Sequence, residues 1–161
     1  MMAQVQTNRA RKVVFTGFGV FLLFVLGFVV FFYWNFNTIE VKGDSMEPTF
    51  HSGQRLLISK AYWLVGGIKK NDIVVVKNID GGDTIIKRVY ALPGQIVDYY
   101  NVPETYDISK GEYKVPSGQL YILGDNRPVS DDSRLFGPVK YDNVLGKVVV
   151  VRFGFPVAAI Q

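Results

Sequence analysis

Three separate stretches of this sequence carry side chains that suit nucleophilic chemistry. Ser45 lies among turn-forming residues at 43–49, Lys87 lies in an apolar stretch, and residues 124–134 hold three Asp, two Arg, two Ser and one Asn. A serine hydroxyl is a poor nucleophile until a neighbouring base removes its proton. Ser45 therefore needs a base from elsewhere in the chain, and the fold has to bring the three stretches together.

Lys87 is the first candidate for that base. Side chains in a strand alternate between the two faces, so Ile85, Lys87 and Val89 share one face. A lysine between two β-branched apolar neighbours is a candidate for burial. Burial disfavours the ammonium and lowers the pKa of the amine, which leaves a neutral base at physiological pH. The alternative is an edge-strand lysine whose stem carries the ammonium to water, and the pattern alone leaves both possibilities open.

His51 is the rival base, because it is the only histidine of the chain and lies a few residues beyond Ser45. A lone histidine in a loop is usually solvated, which favours Lys87. A single histidine also excludes a multi-His metal site within one chain. The absence of cysteine excludes disulfides, thiolate catalysis and Cys-ligated zinc. We expect neither a metal nor a cofactor.

The polar stretch at 124–134 suits a supporting role. Two arginines interleaved with carboxylates favour a structured loop, held by ion pairs and side-chain-to-backbone hydrogen bonds, over a solvated turn. Ser130 within this loop is a candidate to orient Lys87 through a hydrogen bond.

An apolar segment precedes all three stretches. Residues 13–34 contain no charged side chain, and 22 residues span about 33 Å as a helix, enough to cross a bilayer core. Tyr33 and Trp34 end the segment as an aromatic belt. A cleavable signal peptide is the alternative, but its apolar core is shorter and no small-residue cleavage site follows here. We therefore expect an uncleaved anchor.

The distribution of charge gives the predicted topology. Three cations at 9–12 precede the anchor, and no net positive charge follows it directly. By the positive-inside rule, residues 1–12 form a cytoplasmic tail, 13–34 the single transmembrane pass and 35–161 one extracytoplasmic domain. The net charge is +4, and the remaining Lys and Arg are scattered along the chain, which argues against nucleic-acid binding.

Beyond the anchor, short β-rich runs alternate with turns that contain Gly and Pro, and no stretch shows helical periodicity. This spacing predicts an all-β barrel or folded sheet. The turn Asp80-Gly81-Gly82 is predicted to join two strands as a hairpin. The predicted strands cover residues 38–42, 55–60, 72–77, 84–92, 95–100, 120–123 and 145–153.

Taken in order, these motifs resemble those of bacterial type I signal peptidase. Each motif alone is weak, but their order and combination are highly specific. The small size and single anchor are similar to the compact form typical of Gram-positive bacteria. The resemblance rests on the anchor, Gly-Asp-Ser45-Met46-x-Pro48-Thr49, an apolar strand ending in Lys87-Arg88, Pro93-Gly94, and Gly124-Asp125-Asn126-Arg127-x-x-Ser130-x-Asp132-Ser133-Arg134.

The resemblance implies a domain of coiled antiparallel sheets on the outer face of the cell membrane. It implies a membrane-bound serine endopeptidase that removes signal peptides from exported pre-proteins after Ala-x-Ala-like sites. Its partners are then these pre-proteins and the lipid bilayer. We expect a monomer that binds no nucleic acid.

The resemblance also assigns roles by position. Ser45 matches the nucleophile and Lys87 matches the general base. Ser130 orients the lysine, while Asp132 and Arg134 support the site as an ion pair.

Substrate contacts follow from the same match and from strand geometry. An extended substrate can pair with residues 38–42 and 83–86 by strand addition. The Ser45 backbone N–H is the expected oxyanion donor, whereas Gly43 has no hydroxyl to act as a second donor. The predicted substrate-binding residues are Gly43 and four apolar candidates for shallow, alanine-sized pockets, Val41, Met46, Phe50 and Ile86.

Two other hypotheses compete with this one. A catalytically idle homologue that assists the assembly of surface pili is disfavoured, because both Ser45 and Lys87 are present. A relative of the self-cleaving SOS-type repressors, which use a similar Ser/Lys pair, is disfavoured by the anchor. Those repressors are soluble and carry a DNA-binding region.

Overall fold

The computed structural model describes residues 2–77 and 84–153. The chain divides into two compact units, Met1–Asn35 and Phe36–Gln161. The first unit is helical, and the second carries the strands.

The first unit is one helix, α1 (Met2–Asn35). Its segment Thr16–Asn35 has 20 residues, a mean hydropathy of 2.3 and no buried position in its most apolar window. A helix that is apolar on all sides is either buried in protein or embedded in lipid. By length and composition, α1 can cross a membrane, and the predicted anchor at 13–34 lies within it.

The second unit is built mainly from short strands, as the sequence predicts. Two helical turns, α2 (Tyr62–Val65) and α3 (Ser133–Phe136), lie between strands. The strands are β1 (Phe36–Glu40), β2 (Arg55–Ser59), β3 (Ile73–Val76), β4 (Ile85–Ala91), β5 (Ile96–Val97), β6 (Tyr113–Lys114), β7 (Gln119–Leu123), β8 (Val139–Lys140) and β9 (Val144–Phe153).

Seven of these strands form one sheet, in the order β1-β2-β9-β3-β4-β7-β8, and β5 pairs with β6 in a small second sheet. The strand pairs are antiparallel. The predicted all-β, antiparallel class is therefore confirmed. The barrel-like form is not, because within the described residues β1 and β8 end the order and do not pair with each other.

Each predicted strand region overlaps an observed strand, with shifted ends. The first strand is β1, which ends at Glu40 rather than at 42, although Val41 still exchanges backbone hydrogen bonds with Gln54 and Gly53. The predicted strand at 95–100 shrinks to β5, because Asp98 caps a 3₁₀ turn directly after it. The predicted hairpin turn at 80–82 lies outside the described residues, but the strands on either side of it pair antiparallel.

The hydrophobic core is what holds the loop that carries Ser45. Met46 and Phe50 in this loop are buried in one cluster with Val41 and Ile86. Burying a side chain of this size stabilises a fold by about 1.5–3 kcal/mol. The two apolar side chains therefore fix the loop to the sheet from within and leave Ser45 between them and solvent.

Candidate active site

The Ser45 loop is a compact turn. Gly43 enters it with a φ of 77°, a left-handed conformation that favours glycine over residues with a Cβ. Inside the turn, the Glu47 N–H donates to the Asp44 carbonyl over 3.1 Å, and the Phe50 N–H donates to the Met46 carbonyl over 3.0 Å. These bonds satisfy the turn locally, so the position of Ser45 is set by the loop itself and by its apolar anchors.

Lys87 lies on β4, a central strand with β3 on one side and β7 on the other. Lys87 is 3% exposed, so it is buried, and the alternative of an edge-strand lysine that reaches water is wrong. Burial lowers the pKa of Lys87, although the negative charges of Asp132 and Asp131 oppose the shift. The Lys87 Nζ donates a hydrogen bond to Ser130 Oγ over 2.9 Å. In its neutral form, the Lys87 amine can act as a base.

Ser45 and Lys87 line the same cavity, which has a volume of about 120 Å³. Within the part of the chain that the structure describes, no hydrogen bond joins Ser45 Oγ to Lys87 Nζ. Catalytic hydrogen bonds are often loose in a free enzyme and tighten when substrate is bound. The remaining lining residues flank Ser45 in the chain or lie at the start of β4 and just before it: Ile39, Glu40, Val41, Lys42, Met46, Thr84, Ile85 and Ile86.

The cavity contains three of the five predicted substrate-binding residues. Val41, Met46 and Ile86 line it and give it an apolar part. Phe50 is fully buried in the core cluster, and neither Phe50 nor Gly43 lines the cavity wall. The structure therefore brings together the residues on the two edges of the cavity but places Phe50 behind its wall.

Asp132 and Arg134 form the predicted ion pair within the loop at 124–134. Arg134 Nε donates to Asp132 Oδ1 over 2.9 Å, and the Gly124 N–H donates to Asp132 Oδ2 over 3.0 Å. Asp132 is fully buried. Burial alone raises the pKa of Asp132, but the hydrogen bonds from Arg134 and Gly124 outweigh it and hold the pKa below its ordinary value.

Arg134 also ties the loop to itself. Its Nη2 donates to the Arg127 carbonyl over 2.7 Å, so the guanidinium joins the beginning of the loop to its end. The structure therefore shows a loop held by its own side chains, as predicted, rather than a solvated turn. Ser130 lies between Arg127 and Arg134 in the chain and accepts a hydrogen bond from Lys87.

Gly124 is the point at which the loop touches the serine turn. A Cβ at this position would lie 2.5 Å from Ser130 Cβ and 2.6 Å from the Ser45 carbonyl oxygen, and both distances are shorter than a real contact. Only glycine lets the backbone approach this closely. The absence of a side chain at Gly124 therefore lets Ser130 and the Ser45 carbonyl approach the same point beside the Gly124 backbone.

Sequence reasoning missed an ion pair beside the cavity. Arg88 follows Lys87 on β4 and points to the opposite face, where its Nε and Nη2 donate to the two oxygens of Asp125 over 2.8 and 2.6 Å. Thr49 Oγ1 donates to the same carboxylate over 2.5 Å. This cluster links the serine turn, β4 and the polar loop. The strand alternation, which places Arg88 on the face opposite Lys87, is the sequence feature that could have indicated this ion pair.

Asn126 is the second missed residue. Its backbone N–H donates to the Ser45 carbonyl over 3.0 Å, and its Nδ2 donates to the Asp44 carbonyl over 3.1 Å. The amide lies in the polar loop, 82 residues from Asp44 in the chain. No sequence pattern indicates that an exposed loop amide binds the backbone of another loop.

His51 is not part of the cavity. Its side chain is 61% exposed, and Nδ1 lies 3.1 Å from a Glu47 carboxylate oxygen on the same turn. Among the described residues, no group of three or more His, Cys, Asp or Glu side chains is arranged to hold a metal ion. Of the two candidate bases, only Lys87 shares a cavity with Ser45.

Comparison with known families gives a match over most of the chain. The model of the family described as signal peptidase, peptidase S26, matches residues 12–106 and 101–153. Signal peptidase IB of Staphylococcus aureus strain COL is 32% identical, over 79% of this chain and 80% of that protein. Signal peptidase I of Bacillus caldolyticus is 33% identical, over 78% of this chain and 84% of that protein.

Among solved structures, a crystal structure of a signal peptidase I from Enterococcus faecalis aligns with a TM-score of 0.42 and 27% identity. The alignment covers 53% of this chain and 99% of that chain.

Proposed function

The chain belongs to the peptidase S26 family of signal peptidases, and on that premise we propose that Ser45 is its nucleophile and Lys87 its general base. It is a signal peptidase I, a hydrolase that acts on exported precursors with signal peptides. The observation that carries the assignment is the buried Lys87 amine in the wall of the cavity that also contains Ser45.

The proposed mechanism uses the neutral form of the Lys87 amine as the general base. Lys87 Nζ takes the proton of Ser45 Oγ as the oxygen attacks the carbonyl carbon of the scissile bond. The same amine then gives a proton to the leaving nitrogen, and an acyl-enzyme forms on Ser45. A water molecule, deprotonated by Lys87, attacks the acyl carbon and releases the signal peptide. Lys87 returns the proton taken from water to Ser45 Oγ as the acyl bond breaks. Burial lowers the pKa of Lys87 and so favours the neutral amine with which each half of the cycle begins.

Ser130 supports this cycle from the other side of the amine. The bond from Lys87 Nζ to Ser130 Oγ uses one N–H of the neutral amine and restricts its rotation. The lone pair can then be held toward Ser45. Asp132 and Arg134 act on this bond indirectly, because they fix the loop on which Ser130 lies.

The oxyanion of the tetrahedral intermediate needs a hydrogen-bond donor. The backbone N–H of Ser45 is the proposed donor, because it moves with the nucleophile. Gly43 offers no hydroxyl at the position where some relatives supply a second donor. Its role in this proposal is the left-handed backbone that starts the turn.

The proposed substrate is an extended segment that ends in Ala-x-Ala. The two edges of the cavity, residues 39–42 and 84–87, offer backbone on both sides for such a segment. The small volume of about 120 Å³ and the apolar Val41, Met46 and Ile86 suit alanine-sized side chains. In this proposal Phe50 acts from behind, by holding that wall in place.

We further propose that α1 anchors the enzyme in the cell membrane. The presence of one N-terminal apolar helix and the signal peptidase relatives suggest a membrane-anchored protein. The orientation comes from charge: cations at 9–12 favour a cytoplasmic N-terminus, a single pass at 13–34 and an extracytoplasmic domain at 35–161.

The test is cleavage of a precursor with an Ala-x-Ala site by the purified full chain in detergent, followed by sequencing of the new N-terminus. We expect Ser45→Ala and Lys87→Ala each to lower the rate by about 10⁴–10⁶-fold, the scale on which loss of a member of a catalytic nucleophile–base unit acts. His51→Ala and the exposed-lysine control Lys140→Ala should cut like the wild type. Full processing by Lys87→Ala would falsify the dyad. No cutting by the wild type, under conditions in which a known signal peptidase works, would favour the pilus-assembly alternative.

A further inference from the structure

Asn126 holds the backbone on both sides of the Ser45 Cα. Its Nδ2 donates to the Asp44 carbonyl, and its own N–H donates to the Ser45 carbonyl. A carbonyl only accepts, so only the NH₂ end of the side chain can make the first bond. Resting on the proposed nucleophile, we infer that Asn126 is a positioning residue that fixes the direction of the Ser45 N–H as oxyanion donor.

The inference follows from the geometry of one peptide group. The Asp44 carbonyl and the Ser45 N–H belong to the same planar unit, which is trans here. In a trans peptide the C=O and N–H point in opposite directions. Asn126 Nδ2, 3.1 Å from the Asp44 oxygen, therefore turns the Ser45 N–H away from the polar loop. Rotation of this peptide would break the bond.

The same carbonyl accepts a second hydrogen bond. The Glu47 N–H donates to the Asp44 oxygen over 3.1 Å, so two donors act on one acceptor. Hydrogen bonds in a connected chain polarise one another, and a carbonyl with two donors makes the N–H of its own peptide a stronger donor. That gain matters most when negative charge develops on the substrate oxygen, which is the transition state.

The contact between the two loops does not depend on the Asn126 side chain. The main-chain bond to the Ser45 carbonyl remains in any Asn126 variant, and the Gly124 backbone packs against the same oxygen. A side-chain replacement therefore removes one hydrogen bond and leaves the loops together. This separation makes the inference testable apart from folding.

The experiment measures steady-state cleavage by the full chain in detergent for Asn126→Ala and Asn126→Asp. We expect kcat to fall by about 10- to 100-fold, somewhat less than for complete loss of an oxyanion donor, with KM within about twofold. Asn126→Asp has the same size but cannot donate, so its loss should be at least as large. In Asn126→Ala the pH profile should keep its wild-type midpoint, because this substitution changes no charge. Asn126→Asp adds a negative charge, which raises the pKa of Lys87, so its kcat is compared on the plateau above the acid limb. Asn143→Ala, in the turn before β9, serves as the matched control and should keep the wild-type kcat.

The outcomes separate this inference from the proposed function. Wild-type kcat in both Asn126 variants overturns the inference, and so does a loss that appears only in KM or that equals the loss of folded protein in a thermal melt. Ser45→Ala is measured in the same assay. If Ser45→Ala cuts normally, the nucleophile assignment is wrong and the inference fails with it. If Ser45→Ala is inactive and both Asn126 variants are fully active, the inference alone is wrong.

Discussion

The Lys87 Nζ donates a hydrogen bond to Ser130 Oγ over 2.9 Å, across 43 residues of sequence. The bond joins a buried side chain in the centre of the sheet to a serine of the polar loop. It gives the amine one fixed partner next to the cavity that it shares with Ser45.

Ser130→Ala should lower kcat by about tenfold, the effect of one hydrogen bond of about 1–1.5 kcal/mol that orients the base. KM should stay within about twofold, because Ser130 does not line the cavity. Steady-state kinetics on a precursor measure both constants. Unchanged kcat would show that Lys87 is oriented without Ser130.

Activity should rise with pH through the pKa of Lys87, because only the neutral amine can accept the Ser45 proton. Burial lowers this pKa, so the midpoint of the acid limb of kcat/KM should lie below 10.5, the ordinary value for lysine. The negative charge of the exposed Asp131 raises the same pKa, so Asp131→Asn should move the limb to lower pH. Profiles at low ionic strength give the midpoints, since salt screens an exposed charge.

Asp142→Asn is the matched control for that shift, because Asp142 is also exposed but lies in the turn before β9. A limb that moves equally in both variants would indicate a general effect of net charge. A limb that does not move in Asp131→Asn would contradict the electrostatic link to Lys87.

Lys87→Met should unfold at a higher temperature than the wild type at pH 7, while losing activity. Because burial lowers the pKa of Lys87, the unfolded chain keeps this proton to higher pH than the folded chain does. The wild type therefore gains stability as pH rises from the folded pKa towards 10.5, and the cost of the lysine is largest below that window. Methionine removes the cost and keeps an apolar stem in the site.

Thermal melts of the two proteins at pH 7 and at pH 10 measure this difference, which should shrink at the higher pH. Each 1 kcal/mol corresponds to about 2–6 °C in a domain of this size. The exposed Lys140→Met is the control and should leave Tm almost unchanged. A lower Tm for Lys87→Met at pH 7 would mean that the amine stabilises the fold.

Gly124→Ala should lose both stability and activity. The new Cβ would lie 2.6 Å from the Ser45 carbonyl oxygen, a backbone atom that cannot rotate away. Overpacking of this kind costs about 1–3 kcal/mol, and a displaced nucleophile loses activity on the order of 100-fold. Gly67→Ala is the matched control, because open space surrounds that position. Melts and cleavage rates measure the two effects, and normal activity in Gly124→Ala would show that the loops can separate without harm.

The sequence predicts most of the strands because they are long enough to stand out as β-rich runs between turns that contain Gly and Pro. The two-residue strands β6 and β8 are too short to carry a period, and both were missed. Burial of Lys87 could not be decided from its own stretch. It depends on β7, which lies some thirty residues further along the chain and covers the free edge of β4.

Part of the candidate site is predicted from sequence motifs, and part is visible only in the structure. Ser45, Lys87 and Ser130 come from motifs whose order resembles a family, and the structure brings these three together. The Arg88–Asp125 ion pair and the hydrogen bonds from Asn126 to the serine turn depend on how separate segments meet in space. They could not be predicted from the sequence, because short polar side chains have many possible partners. Phe50 was predicted at the pocket because it is near Ser45 in sequence, but the turn directs it into the core.

The bonds that assemble the site join residues 37, 43, 76 and 82 positions apart. Contacts of such high sequence separation require the closure of long loops, and that entropy is lost before the contacts contribute any energy. The backbone hydrogen bonds within the serine turn form locally, whereas Lys87 and Asn126 come from β4 and from the polar loop. If Ser45 and Lys87 act as proposed, a partly folded chain holds the serine without its base, so we expect hydrolytic activity only after β4 and the polar loop have packed against the serine turn.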